Sequence, residues 1–196
     1  GGSLGLANGY AHILRAPILA VIGDSTFLHA GIPALVNAVY NKAKFTVAVL
    51  DNDTTAMTGF QPHPGSGVTA TGRGTTRVMI EEVAKGCGVN FVEVVDPNDI
   101  KRGTELVEKA LRFEEPSVIV FRRKCELLAI AHKRRRGEKI VPFHIDPDKC
   151  KACGICVNIF GCPAITKRDK EFSIDTTLCS GCGVCAEICP YRAILR

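Results

Sequence analysis

Eight cysteines in two clauses carry the clearest chemistry in this chain. The first clause reads Cys150-x2-Cys153-x2-Cys156-x5-Cys162-Pro163, and the second reads Cys179-x2-Cys182-x2-Cys185-x3-Cys189-Pro190. A [4Fe–4S] cube takes four thiolates, and runs of this kind give three to one cube and the fourth to the other. By that rule Cys150, Cys153, Cys156 and Cys189 hold one cluster, and Cys179, Cys182, Cys185 and Cys162 hold the second. Gly154, Gly181 and Gly183 let the backbone turn tightly around them, and a proline closes each clause.

The segment is also an internal repeat. Ile145-Asp146 begins five residues before Cys150, Ile174-Asp175 begins five before Cys179, and the halves end in Ala164-Ile165 and Ala193-Ile194. Duplication predicts a small α+β dicluster domain over residues 144–196, with pseudo-twofold symmetry and one cysteine exchanged in each direction. Zinc sites favour two separated C-x2-C pairs closing a tetrahedron. A disulfide scaffold belongs to a secreted chain, and no signal peptide or membrane-spanning run is visible.

The elements upstream must deliver electrons to these clusters. Residues 1–121 alternate short apolar runs with helical stretches, which predicts a parallel α/β sheet. Strands are expected over Ile18–Ile22, Thr46–Leu50, Asn90–Val95 and Ser117–Phe121. Helices are expected over about Ile32–Lys42 and Thr75–Lys85, and from an Asp96-Pro97 start to Phe113. Gly5, Ala7 and Gly9 predict an opening helix that packs closely on another backbone. There is no G-x-G-x-x-G fingerprint for a dinucleotide. Thr54–Gly74 is a long loop rich in Gly, Pro and Thr, of the length that usually carries function.

Ligands of parallel sheets bind at the carboxyl ends of the strands. Asp24 and Asn52 each sit just past such an end, 28 positions apart with one helix between them. On neighbouring strands their side-chain oxygens would converge on one crevice edge. A carboxylate with an amide oxygen suits Mg2+, which completes its octahedron with phosphate and water. Gly23 and Ser25, ahead of a helix, offer backbone N–H groups to the same phosphates.

The net charge of +5 is a local effect. Residues 122–143 form a basic linker in which Arg122, Arg123, Lys124, Lys133, Arg134, Arg135, Arg136 and Lys139 face only Glu126 and Glu138. The rest of the chain is close to neutral, which argues against a nucleic-acid surface, as do the absence of Trp and the few aromatics. The linker reads as a solvated connector, or as a patch that neutralises the cluster domain or docks an acidic ferredoxin. Cys87 and Cys125 stand outside both clauses and are expected to be buried thiols.

Two strings carry a family resemblance. Gly23-Asp24-Ser25-Thr26-Phe27-Leu28-His29-Ala30-Gly31-Ile32 is the first. The second is Asp51-Asn52-x-Thr54-Thr55-Ala56-Met57-Thr58-Gly59-x-Gln61-Pro62-His63-Pro64-Gly65. Together with the cysteine tail and its longer first gap, they resemble the alpha subunit of indolepyruvate ferredoxin oxidoreductase over essentially the whole chain. The resemblance implies thiamine diphosphate and Mg2+ as cofactors beside the two [4Fe–4S] clusters. It implies Asp24, Asn52 and the Thr54 carbonyl as Mg2+ ligands, with Thr58 and Gly59 on the diphosphate. The reaction implied is oxidative decarboxylation of an aryl 2-oxoacid with CoA, in the cytoplasm, with electrons passing to an external ferredoxin. His29 and His63 are the catalytic candidates: His29 near substrate or diphosphate, His63 lining the site mouth.

The activating glutamate of thiamine enzymes has no counterpart here. The resemblance places it in an upstream pyrimidine-binding domain or subunit, and a beta subunit completes the oxidoreductase. The chain opens at Gly1-Gly2-Ser3 without an initiator Met, as expected of a processed or partial chain, and alone it should not turn over. The competing expectation is a non-enzymatic dicluster electron-transfer module on an α/β docking scaffold. Binding of thiamine diphosphate separates the two.

Overall fold

The computed structural model describes residues 1–196, and the chain divides into two units, Gly1–Cys125 and Glu126–Arg196. The first unit begins with α1 (Gly2–Ala11), β1 (Leu19–Gly23), a helical turn α2 (Asp24–Thr26), a π-helical segment (Phe27–Gly31) and α3 (Ile32–Tyr40). Then come β2 (Thr46–Asp51), α4 (Ile80–Gly86), β3 (Phe91–Val95), α5 (Ile100–Leu111) and β4 (Ser117–Arg122). All strand pairs are parallel, in the order β1-β2-β4-β3, so β1 and β2 are neighbours as the crevice argument requires.

Alternate residues of the sheet feed two cores, as a pleat demands. Ala20, Ile22, Val47, Val49, Val118 and Val120 pack with Leu4, Phe27, Leu35 and Ile80 from the helices on one face. Phe91, Val95 and Ile119 pack with Leu106 and Ala110 of α5 on the other. The expected fully buried first strand is instead an edge strand, buried on one face only, with Leu19 and Val21 exposed. The second core is built by α5 on β3 and β4 and stops short of it.

Other boundaries shift for local reasons. The helix expected from Thr75 begins at Ile80, because the Thr75 and Val78 amides donate to the loop carbonyls of Gly67 and Pro64. Helix α5 is capped by Asp99, whose carboxylate accepts from the Arg102 amide at 3.0 Å. Asp96 instead closes a turn onto Asn98. The helical path after β1 starts at Asp24 rather than at Ile32. Pro33 has no N–H for the carbonyl four residues back, and the chain widens there into a π turn. In α1, Leu4, Ala7 and Asn8 are buried, whereas Gly5 and Gly9 face open space. The glycines do not supply the close helix packing expected of them.

The second unit holds α6 (Glu126–Arg135), β5 (His144–Ile145), α7 (Ile155–Asn158), β6 (Ile165–Arg168), β7 (Glu171–Ile174), α8 (Val184–Glu187) and β8 (Ile194–Leu195). Both strand pairs are antiparallel and exchanged between the repeats. The opening strand β5 pairs with the closing strand β8, and β6 pairs with β7. Matching Asx turns precede each clause, with Asp146 Oδ1 accepting from the Asp148 amide and Asp175 Oδ1 from the Thr177 amide. No helix of the chain is long and apolar enough to cross a membrane.

Candidate functional site

The carboxylate of Asp24 is the centre of the site. Its position just past β1 is fixed by the sheet, and it is only 4% exposed. Oδ1 accepts from the Ser25 amide at 2.7 Å, and Oδ2 accepts from the amides of Asn52 and Asp53, each at 3.0 Å. The end of β2 therefore folds its backbone onto Asp24, with Asp53 in the left-handed region at φ 69°, which aspartate tolerates better than most residues. Burial lifts the Asp24 carboxyl above its ordinary value despite the Ser25 N–H, and the charge of Asp51 adds to the lift. A buried anion in that state gains from a divalent cation.

The remaining candidates divide. Asn52 meets Asp24 through its backbone, while its side-chain Oδ1 accepts from the Thr54 amide at 3.2 Å, leaving a second lone pair on that oxygen. Thr54 is buried and donates from Oγ1 to the Gln61 carbonyl. Thr58 and Gly59 lie in an exposed turn, where Thr58 bonds Gln61 rather than Asp24. His29 is exposed on the π segment and takes no part in the Asp24 network.

His63 is buried rather than set at a mouth. Its Nδ1 accepts from the Gly65 amide at 3.1 Å, so the ring proton sits on Nε2. Nε2 is 3.2 Å from Asp24 Oδ2 but off the line of a hydrogen bond, and it has no hydrogen-bond partner. A buried N–H left unpaired costs about 1–3 kcal/mol. An orphaned donor beside a buried carboxylate fits an anion held on a cation at Asp24, which is what a Mg2+-bound diphosphate would present.

One network was missed in the sequence. Arg122, at the end of β4, donates from Nε to Asp51 at 2.6 Å and grips Glu81 with both terminal nitrogens, at 2.9 and 2.6 Å. Arg122 lowers the Glu81 carboxyl below its ordinary value, and the pair holds the Arg122 guanidinium charged. Arg123, on the same strand end, pairs with Asp96 at 2.7 Å. Both arginines, counted with the linker, thus belong to the first unit. The available signal was two acidic positions at strand ends, Asp51 and Asp96, and Glu81 in the first turn of α4, but strand register is not written in local sequence. Cys87 and Cys125 are half-buried rather than buried. Cys87 packs at the margin of the first core, and burial raises its thiol.

In the second unit Cys150, Cys153, Cys156 and Cys189 line one cavity, and Cys162, Cys179 and Cys182 lie close enough to Cys185 to act on it. Burial raises the Cys156 thiol, and charge on Cys153, Cys150 and Cys189 pushes it the same way. Burial pushes Cys185 up to about 11, with Cys162, Cys182 and Cys179 adding to it. No three His, Cys, Asp or Glu side chains converge as on a single ion. A bound metal would hold the buried Cys156 and Cys185 thiols deprotonated, and iron suits sites built from thiols alone. The backbone is shaped for it. Gly154 and Gly183 precede α7 and α8 with φ of 76° and 86°. A Cβ on Gly181 would come within 2.7 Å of the Val141 carbonyl. The amide of Ala193 donates to the Cys189 sulfur at 3.4 Å.

A parallel sheet that buries two carboxylates, Asp24 and Asp51, at its carboxyl edge, followed by a twofold cysteine unit, defines a cofactor-binding electron-transfer chain. The chain belongs to the thiamine pyrophosphate enzymes through their C-terminal TPP binding domain, whose family model matches residues 1–121. The model of the 4Fe-4S binding domain matches residues 172–195, the second clause. The chain therefore carries a thiamine diphosphate-binding domain and an iron–sulfur domain. It is 49% identical to the indolepyruvate oxidoreductase subunit IorA of Archaeoglobus fulgidus, over 99% of this chain and 31% of that protein. It is 52% identical to the protein of that name from Thermococcus kodakarensis, over 90% of this chain and 27% of the relative. The chain thus spans less than a third of the length of these relatives. The resemblance read from the motifs is borne out. The 2-oxoglutarate:ferredoxin oxidoreductase of Magnetococcus marinus shares the fold at TM-score 0.56 and 18% identity, over 63% of this chain and 45% of that one.

Proposed function

We propose that this chain is the diphosphate-binding and electron-transfer portion of a 2-oxoacid:ferredoxin oxidoreductase. In this reading it takes part in the oxidative decarboxylation of an aryl 2-oxoacid of the indolepyruvate type with CoA, yielding an acyl-CoA, CO2 and reduced ferredoxin. The observation that carries the reading is the presence, in one chain, of the buried Asp24 carboxylate at the carboxyl edge of the sheet and of a cavity lined by Cys150, Cys153, Cys156 and Cys189. The names of the relatives support the substrate class.

Asp24 supplies the carboxylate for Mg2+, and Asn52 Oδ1 and the Thr54 carbonyl complete the protein's share. Gly23 and Ser25 face the diphosphate with backbone, Thr58 and Gly59 close over it, and His63 gives it the Nε2 proton as a hydrogen bond. His29, exposed on the π segment, reaches substrate. Thiamine diphosphate, when bound, supplies the nucleophilic carbon that takes up the 2-oxo group and the route for its two electrons. Arg122 holds Asp51, and with it the turn whose amides hold Asp24. The thiamine diphosphate-binding domain covers 1–121 and the cluster domain 144–196, with the basic stretch 122–143 joining them and its Arg122 and Arg123 held by the first unit, in the cytoplasm. An upstream pyrimidine-binding domain or subunit supplies the activating glutamate, a beta subunit completes the enzyme, and an external ferredoxin takes the electrons.

The test is anaerobic reconstitution of the full-length chain with its partner subunit, followed by calorimetric titration with thiamine diphosphate and Mg2+. One equivalent bound beside about eight irons, with ferredoxin reduced on adding indolepyruvate and CoA, is expected. Absence of thiamine diphosphate binding with the upstream domain present would overturn the reading.

A further inference from the structure

Helix α6 ends in His132, Lys133, Arg134 and Arg135, and Arg136 and Lys139 follow at once. Within this run the only ion pair is Arg136 with Glu138, at 2.8 Å. Nothing on α6 is fully buried, and Arg134, Arg135, Arg136 and Lys139 are exposed, so packing does not account for these four side chains. The helix dipole accounts for part of them, since cations in the last turn are worth about 0.3–1 kcal/mol each. Arg136 and Lys139 lie beyond the helix and gain nothing from it, while neighbouring like charges repel. An anion arriving from outside would relieve that repulsion.

The run leads directly onto the second thiol set. Two residues past Lys139, the Val141 carbonyl lies 2.7 Å from the place of a Gly181 Cβ, and the Phe143 ring lies 3.5 Å from that of Gly183. These glycines separate Cys179, Cys182 and Cys185. The Arg196 guanidinium sits 5.5 Å from the centre of the Phe143 ring and adds a cation to the same loop. The loop of the first set has its Lys149 tied to Asp146 at 3.1 Å and carries Lys151 between Cys150 and Cys153. The run from Lys133 to Lys139 therefore brings its charge to the second thiol set, whose loop meets Val141 and Phe143.

We propose that the run from Lys133 to Lys139 is the docking surface for an acidic electron-carrier protein, and that electrons leave through the cluster held by Cys162, Cys179, Cys182 and Cys185. Each transfer moves one electron: the reduced cluster returns to its oxidised core as the carrier's cluster is reduced, and no bond or proton moves. Charge complementarity of this kind acts on association, raising on-rates 10- to 1,000-fold at low salt by about the usual range for steering. The proposal rests on the reading of this chain as a donor to ferredoxin.

The test uses the full-length holoprotein with its partner subunit and the triple variant K133E/R134E/R135E, with K133Q/R134Q/R135Q as a milder control. The clusters are reduced chemically and the reductant removed, so that the measurement does not depend on thiamine chemistry. Electron transfer to an acidic [4Fe–4S] ferredoxin is then followed by stopped flow across a salt series. The expected result is a rate constant at least tenfold lower at low salt in the Glu variant, an intermediate value in the Gln variant, and loss of most of the salt dependence. Transfer to a neutral quinone should be unchanged, with iron content at the wild-type level. Equal ferredoxin rates in wild type and variant would overturn the docking surface. So would a fall shared equally by the quinone, because the cations would then be acting on the clusters. A wild-type protein that reduces ferredoxin from chemically reduced clusters but not from indolepyruvate and CoA would instead overturn the proposed function and leave the docking surface standing.

Discussion

Nε2 of His63 lies 3.2 Å from Oδ2 of Asp24, with both side chains almost entirely out of water. The two are brought together from different parts of the chain, the end of β1 and the loop after β2. Asp24 is set by β1 and His63 by a capped turn in which its own Nδ1 takes the Gly65 amide. The contact places a donor and a carboxylate in one dry spot, each incompletely satisfied by the protein.

Substituting Asp24 with Asn is expected to abolish Mg2+-dependent binding of thiamine diphosphate. The loss should exceed about 100-fold, since even outer-shell partners of a metal are worth 10–100-fold. Titration calorimetry on the full-length protein reads it, with circular dichroism confirming the fold. The wild type should also show a pH effect of defined sign. The folded carboxyl is raised, so protons compete with Mg2+ as pH falls through that raised value, and affinity weakens there while staying level above it.

His63 should respond to shape rather than charge. His63→Gln can keep a donor near the Nε2 position and retain most thiamine diphosphate affinity, whereas His63→Leu should lose about tenfold, the equivalent of one buried hydrogen bond. Both variants remove the acceptor of the Gly65 amide and should melt lower than wild type. Equal affinity in the two variants would rule out a hydrogen bond from Nε2 to the diphosphate.

The Glu81–Arg122 pair predicts acid sensitivity. Glu81 is depressed below its ordinary value of 4.5 by Arg122. Its contribution is therefore fully present above that value and is lost as pH falls through the lower folded value. Glu81→Gln should cost about 1–3 kcal/mol near neutrality, and the gap to wild type should close in acid. Denaturation of the first unit's secondary structure over a pH series checks this. Arg122→Met should be worse at neutral pH, because it strands both Asp51 and Glu81.

Exchange of the fourth cysteines is open to a direct check. Cys189→Ser should damage the cluster shared with Cys150, Cys153 and Cys156, and Cys162→Ser the one shared with Cys179, Cys182 and Cys185. Each variant should lose up to about four irons, with paramagnetic resonance of the reduced protein showing a different surviving signal in each. Identical residual spectra would sink the exchanged assignment.

Legibility in the sequence followed the range of the interaction. The thiol sets were readable because iron ligation is set by local spacing and the repeat doubled the signal. Asp24 and Asn52 were placed correctly at the ends of adjacent strands because β1 and β2 are short apolar runs. What escaped depended on contacts distant along the chain. The Asp51–Arg122 bond needs the β2–β4 register, and the burial of His63 needs the folded loop. The late start of α4 needs the loop carbonyls of Gly67 and Pro64. The bare glycines of α1 show the opposite error, in which composition suggested a packing partner that the fold does not provide.

The exchanged pairing of β5 with β8 and β6 with β7 has a consequence for how the unit divides. A single repeat, cut free, would have an opening strand and a closing strand with no mate and a three-thiol corner short of its fourth ligand. Two separate copies would satisfy each other completely by the same exchange. The smallest self-sufficient form of this unit would thus be a symmetric pair of half-length chains, and joining them covalently would leave their interface unchanged.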